Sequence, residues 1–205
     1  MKHPQPDLAT LLSASEALEV PLSASQAGLL LRFERLLFDR AVALGMVSSA
    51  DAARLRERHV LDSLRAAAEV DNAASAYDLG SGAGLPGLVI AIAAPDLRIV
   101  LVESRRRRAS FLELAIEDLE LTNVKVLNRR VEELTERVEV CFARAFAPLA
   151  EAWSAAEPLL SSGGRLVYFA GRQATIEAPR GARLLAVRTN AVLESAGALV
   201  IMGRQ

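Results

Sequence analysis

A chain of 205 residues is one ordinary domain, long enough to bury a single core and too short for two full catalytic domains. Its 24 Lys and Arg against 25 Asp and Glu give a net charge of −1, which excludes a whole-molecule attraction to nucleic acid; any such site must be a local patch. With 52% hydrophobic and 24% charged residues, disorder and collagen-like or coiled-coil repeats are excluded as well.

The opening stretch carries Asp7 ahead of a short Leu/Ala run and lacks the long apolar core of a signal peptide, so it reads as a frayed or docked arm. From Ser23 to Leu44, Leu29, Leu30, Phe33, Leu36, Leu37, Ala41 and Leu44 recur at three- and four-residue steps, the spacing of one helix face. Ser48-x-x-Asp51 reads as a capping box opening a second helix, with Leu55, Leu61, Leu64 and Ala68 inward and Arg54, Arg56, Arg58 and Arg65 on its wetter side. After Asn72 the pattern changes. Strands are expected at Ala76–Leu79, Arg98–Glu103, Val124–Asn128, Val138–Ala145 and Arg165–Phe169, alternating with helices at Leu88–Ala94, Arg107–Leu119, Val131–Leu134 and Leu149–Leu160. Arg183–Thr189 and Gly197–Met202 supply two more strands. The expected architecture is a doubly wound α/β fold, Rossmann-like, with a seven-stranded sheet. It forms one domain over residues 1–205, with residues 1–72 as a helical extension packed on it. Gly82–Ala94 is the longest apolar stretch and is too short and too broken by Gly and Pro to span a bilayer.

The chemistry gathers in Asp78-Leu79-Gly80-Ser81-Gly82-Ala83-Gly84-Leu85-Pro86-Gly87. In a doubly wound sheet this turn lies at the carboxyl end of the first strand, where the ligand crevice opens. Glycine there allows close approach of backbone to ligand. Glu103, ending the second strand, is placed to accept hydrogen bonds from two ribose hydroxyls. Gly82-x-Gly84-x-x-Gly87 also matches the dinucleotide fingerprint, which keeps an NAD-linked oxidoreductase open. Against it, an Asp78 carboxylate repels a pyrophosphate but suits a sulfonium or an amino-acid ammonium. The run from Asp78 through Gly80, Ser81, Gly82 and Gly84 reads as the acidic-x-Gly-x-Gly-x-Gly loop of S-adenosylmethionine-dependent methyltransferases.

Four segments in order, RERHVLDS (Arg56–Ser63), DLGSGAGLPG (Asp78–Gly87), RRVEEL (Arg129–Leu134) and RAFAPL (Arg144–Leu149), resemble the bacterial RsmG (GidB) family. The resemblance covers roughly residues 30–171. It implies a class I methyltransferase, in the cytoplasm, that uses S-adenosyl-L-methionine to methylate N7 of a guanine in small-subunit (16S) ribosomal RNA. It further implies cofactor contacts from Gly80, Leu85, Val131, Glu132 and Arg144, RNA-facing roles for Arg58, His59, Arg130 and Arg144, and a reaction centre at Arg144 and Arg130. The implied partner is the RNA or the small subunit, met by a monomer. Three segments differ from the family's usual residues: Ala43-Leu44-Gly45 replaces Asn-Leu-Thr, Ala170-Gly171 replaces Lys-Gly and Gly197-Ala198 replaces Arg-His, with Arg172 placed to restore a charge. These losses motivate an alternative, a diverged cofactor-binding member that acts on another substrate or only binds RNA.

Guanine N7 carries an in-plane lone pair, so its methylation needs alignment and exclusion of water rather than a base. Few acid/base candidates are present, in keeping with that. Arg144 is placed either to hold the guanine edge or the cofactor carboxylate, or simply to form a surface salt bridge. His59 is either a packed helical histidine or support for an RNA-facing cap. Arg105–Arg108, four arginines opening a helix, oppose its dipole unless an anion compensates; the alternative is a solvated face screened by Glu113 and Glu117. Cys141 reads as core; as the only cysteine it excludes intrachain disulfides and multi-thiolate metal sites, and with only His3 and His59 as histidines no metal is expected. Replacing Arg144 with Ala is expected to depress methyl transfer far more than stability.

Overall fold

The computed structural model describes residues 7–48, 54–193 and 195–205. Helix α1 (Leu8–Ala17) starts at an Asp7 N-cap whose carboxylate accepts the Thr10 N–H, and it docks through Leu11. This corrects the reading of the opening stretch as an arm: Asp7-x-x-Thr10 is a cap, although the sparse apolar pattern behind it hid the helix. Helix α2 (Ala24–Leu36) opens with a reciprocal capping box between Ser23 and Gln26 and continues as a π-type stretch, Leu37–Ala41. Asp51, the expected partner of Ser48 in a second box, lies outside the described residues. Next come a second π-type stretch (Arg56–Leu61), α3 (Asp62–Leu64) and a 3-10 turn (Arg65–Glu69).

The sheet follows: β1 (Ser75–Leu79), α4 (Gly87–Ala93), β2 (Arg98–Val102), α5 (Arg106–Asp118), β3 (Val124–Leu127), a 3-10 turn (Val131–Glu133), β4 (Val138–Arg144), α6 (Leu149–Ala156), β5 (Leu160–Phe169), β6 (Ala182–Arg188) and β7 (Leu199–Arg204). Strand order is β3-β2-β1-β4-β5-β7-β6. The first five pair in parallel, and β7 is antiparallel to both β5 and β6. The sheet is therefore mixed, where the βα rhythm alone suggests a parallel one. Past β5 the crossover helices stop: β6 passes to the sheet edge in the direction of β5, and β7 returns antiparallel into the gap between them.

Burial explains the layering. One apolar cluster joins α1, α2, α4 and α5 to the sheet face bearing Leu101, Val140 and Phe142. The other joins Trp153 and its α6 neighbours to the face bearing Tyr77, Cys141 and Ala143. The N-terminal helices thus share a core with the sheet. A polar tie reinforces that junction: the Gln26 side-chain amide donates to the carbonyls of Ile92 and Ala93, the free carbonyl end of α4. Because Gln26 caps α2 and α4 at once, Gln26→Ala is expected to lower the unfolding free energy by about 1–3 kcal/mol, read from urea denaturation at neutral pH.

Candidate functional site

The site is built where β1 turns into α4. Gly80 takes φ +70°, and a Cβ on it would lie 2.7 Å from the Phe146 ring, so only glycine lets the β4–α6 connection pack against this loop. At the loop's end a Cβ on Gly87 would fall 2.6 Å from Asp78 Oδ2. Glycine there brings the first turn of α4 within reach of β1, and the Gly87 N–H donates to Asp78 Oδ2 at 3.1 Å. Ser81 Oγ donates to the Asp78 carbonyl, closing the turn.

Asp78 is fully buried, and burial pushes its carboxyl up to about 7 from the ordinary carboxylate range. It is not among the residues that line the cleft described next; its Oδ2 holds the loop from beneath, while its Oδ1 is buried without a hydrogen-bond partner among the described residues. Gly84 also faces inward, toward Leu88 and Leu112.

Above the loop is a cleft of about 310 Å³ lined by Gly80, Ser81, Gly82 and Leu85 on one side, Met46, Val47 and His59 on the other, and Arg108, Arg144 and Ala145 between. Glu103 sits at the tip of β2, nearly buried. Its Oε2 accepts the Gly82 N–H at 3.0 Å, its Oε1 accepts the Arg105 N–H at 2.8 Å, and Arg108 stands 4.0 Å away. The RRVEEL segment lies after β3, beyond the residues that line this cleft. Val131 is buried in the α6-side core, while Glu132 and Arg130 are exposed, and none of the three lines the cleft.

Arg144 carries most of the polar contacts. It donates to the Arg58 carbonyl at 2.6 Å and to Ser63 Oγ at 3.2 Å, approaches His59 Nδ1 at 3.3 Å, and pairs with Asp62 Oδ2 at 3.1 Å. Burial draws its guanidinium down from its ordinary value, opposed chiefly by Asp62. Asp62 Oδ1 meanwhile pairs with Arg65 at 2.7 Å, and both guanidiniums lie within 6 Å of the Phe169 ring centroid, at 5.8 Å for Arg65 and 5.6 Å for Arg144. The salt bridge weighed for Arg144 exists, but it is buried and ties the tip of β4 to the helical cap. Asp62, Phe146 and Phe169 were given no site role in the sequence, and Arg65, expected on the wetter side of its helix, is buried because Asp62 and the Gly197 carbonyl take up its guanidinium. Asp62-x-x-Arg65 has ordinary helical pair spacing, and nothing local marks the third partner, which arrives from β4.

Arg144 and Ala145 also line a second cleft, of about 420 Å³, with Arg58, Asp62, Phe169, Arg172 and Ser195. Ala170-Gly171 and Gly197 form part of its wall, and a Cβ on Gly197 would lie 2.0 Å from the Ala170 carbonyl oxygen. Ala145 has φ +49°, uncommon for a residue with a side chain, at the junction of the two clefts. Among the described residues there is no cluster of His, Cys, Asp and Glu able to hold a metal ion and no helix long and apolar enough to cross a membrane.

The family model described as rRNA small subunit methyltransferase G matches residues 26–198. A protein of Thermobifida fusca named ribosomal RNA small subunit methyltransferase G is 41% identical over 148 residues, covering 71% of this chain and 62% of that protein. The protein of the same name from Salinispora arenicola is 38% identical over 191 residues, covering 89% of this chain and 76% of its own. In architecture the chain resembles a mutant of MtNAS solved with S-adenosylmethionine, with TM-score 0.57, 18% identity, and 95% and 83% of the two chains covered. At that identity the likeness shows the fold, that of class I S-adenosylmethionine-dependent methyltransferases.

Asp78 gives the site a pH signature. Its carboxyl is raised to about 7 in the fold and titrates near 4 when unfolded, so between those values the folded state binds more protons. Stability is therefore lost as pH rises from about 4 to about 7, by up to ~1.4 kcal/mol per pH unit from this group. Asp78→Asn keeps an acceptor for Gly87 and is expected to flatten that dependence, measured by urea unfolding at a series of pH values.

Proposed function

This chain belongs to the rRNA small subunit methyltransferase G family, and we propose that it transfers a methyl group from S-adenosylmethionine to N7 of a guanine in small-subunit ribosomal RNA. The observation that carries this reading is the meeting of two clefts at Arg144 and Ala145. One is floored by the glycine loop, and the other opens beside it with room for a base.

The residues of the first cleft fit the cofactor. The loop presents backbone without side chains at Gly80 and Gly82, and Glu103 is fixed at its edge by two N–H donors, with lone pairs left for ribose hydroxyls. When bound, the cofactor supplies an electrophilic sulfonium methyl. The protein's own part is alignment. Arg144 is held by Asp62, Ser63 and the Arg58 carbonyl, so the wall between the clefts is set before substrate arrives. Phe146 against Gly80 and Phe169 against Arg144 supply apolar surface that excludes water from this junction. A base approaching from the second cleft meets the face of a guanidinium whose Nη donors are already engaged by Asp62, Ser63 and the Arg58 carbonyl, so we assign Arg144 to fixing the wall against which the guanine aligns. Arg58 and His59 flank this position, and we assign them to substrate support. We place Arg130 on the rim, outside both clefts.

The direct test is incubation with labelled S-adenosylmethionine and small ribosomal subunits from cells lacking the native modification, followed by mapping of the product by mass spectrometry. Label on guanine N7 at a single site is the expected result; cofactor binding without transfer would point to a non-catalytic RNA-binding member. Glu103→Ala is expected to weaken S-adenosylhomocysteine binding by about 1.5–3 kcal/mol, read by calorimetry, and unchanged affinity would remove Glu103 as the ribose ligand. Arg144→Ala is expected to abolish transfer and also to lower the unfolding free energy by about 2–4 kcal/mol, since it leaves half of the Asp62 carboxylate buried without its partner. That stability loss revises the expectation drawn from the sequence alone.

A further inference from the structure

Helix α5 has its charges arranged against its own dipole. Arg105 is its N-cap and Arg106, Arg107 and Arg108 form its first turn, with no acidic residue there. At the other end stand Glu117 and Asp118, followed by Glu120, with no basic residue in the last turn. Each misplaced charge opposes the partial charge of the terminus beside it. Many arginines elsewhere are ion-paired, Arg32 with Asp118, Arg56 with Glu34, Arg65 and Arg144 with Asp62, Arg165 with Asp71, Arg188 with Glu69 and Arg204 with Glu157, while the exposed arginines without such a pair are otherwise scattered along the chain, as Arg137, Arg172, Arg180 and Arg183 are. Arg105, Arg106 and Arg107 are exposed and have no ion-pair partner among the described residues.

A second element brings more of the same charge to the same edge. Arg129 and Arg130 follow β3, the neighbour of β2, and both are exposed. Asn128 fastens the two loops together, its side-chain amide donating to the carbonyls of Glu103 at 2.7 Å and Ser104 at 3.1 Å. The result is a ridge of five arginines, three from the start of α5 and two from the loop after β3, on a protein whose net charge is −1. It adjoins the cofactor cleft, because Arg108, one residue on, lines that cleft and Glu103 holds Gly82.

We propose that this ridge, Arg105–Arg107 with Arg129 and Arg130, is a track for the phosphate backbone of the substrate RNA, gripping strand that flanks the target nucleotide. The proposal rests on the RNA-directed reading above and adds to it the surface that supplies affinity. Planar guanidiniums suit phosphate oxygens, and phosphate contacts position a strand without reading its sequence. The arrangement that is unfavourable for α5 alone becomes favourable once polyanion lies across it.

The test compares the full-length chain with Arg106→Gln/Arg107→Gln and with Arg180→Gln/Arg183→Gln, which removes the same charge from exposed positions at the β6 edge. Binding of a short single-stranded RNA is measured over a range of salt concentrations. In the ridge variant the dissociation constant is expected to rise about tenfold or more near 0.1 M salt, and the slope of log K against log salt to fall by about 1.5. The β6 variant should match the wild type, and S-adenosylhomocysteine affinity should be unchanged in both. The ridge variant should also melt about 1–4 °C higher, since Gln has similar helix propensity and removes the clash with the dipole. Unchanged affinity and slope in the ridge variant, or equal losses in both variants, would overturn the track. A lower melting temperature would assign these side chains a structural role and overturn it too. Failure of the wild type to methylate small ribosomal subunits overturns the activity instead, and the salt-slope comparison still decides for or against the ridge.

Discussion

Asp62 is one carboxylate serving two buried guanidiniums, and the geometry of both clefts depends on it. Arg65 reaches it from the next helical turn, and Arg144 reaches it from the tip of β4, far away in sequence. Two cations on one anion would leave a net positive charge in a poorly solvated place. That is tolerable because Phe169 offers its ring to both, because the Gly197 carbonyl accepts from Arg65, and because the Arg58 carbonyl and Ser63 accept from Arg144. The cluster therefore joins the cap to three parts of the sheet domain: the end of β4, the end of β5 and the segment before β7. Once it is formed, Arg144 has little freedom to swing, and the wall between the clefts is rigid.

The glycine loop is fastened by the same chemistry at two other points. Asp78 holds its far end from below through Gly87, and Glu103 holds its middle from the side through Gly82. The two carboxylates differ in environment. Asp78 has lost its water entirely, which explains its raised titration, whereas Glu103 faces two backbone donors and a nearby arginine at the rim. A loop pinned by its own strand ends is ready for a ligand without ordering cost, in keeping with a site that works by alignment.

How much of this was legible in the sequence follows from the range of each interaction. The βα alternation, the glycine turn and the acidic residue ending β2 are local patterns, and six of the seven strands lie within two residues of where periodicity puts them; β5 starts at Leu160 instead of Arg165, because Leu160 pairs with Val138 across an irregularity in the ladder to β4. What escaped was set by contacts between distant segments. The return of β7 between β5 and β6 is fixed by pairing, which leaves no trace in either strand's own alternation. Helix α1 has a legible cap but buries few residues, so its stripe is too thin to announce itself. The sequence marks Asp78 as the acidic residue of the turn by its position, and only the three-dimensional approach of Gly87 shows that its Oδ2 also fastens the loop. Asp62 looked ordinary because both of its pairings depend on what packs against its helix.

The charges of α5 are different in kind, since they were fully legible and locally wrong. A sequence selected for helix stability alone would place acids at the first turn and bases at the last, as capping and dipole both favour. This helix does the reverse at each end while its buried face, Ala109, Phe111, Leu112 and Ala115, remains a well-formed stripe against the core. Packing thus carries the helix, and its termini are free to hold charges that folding does not want. Where local rules and the native sequence disagree, and the disagreement lies beside a ligand cleft, function is the better explanation than tolerance.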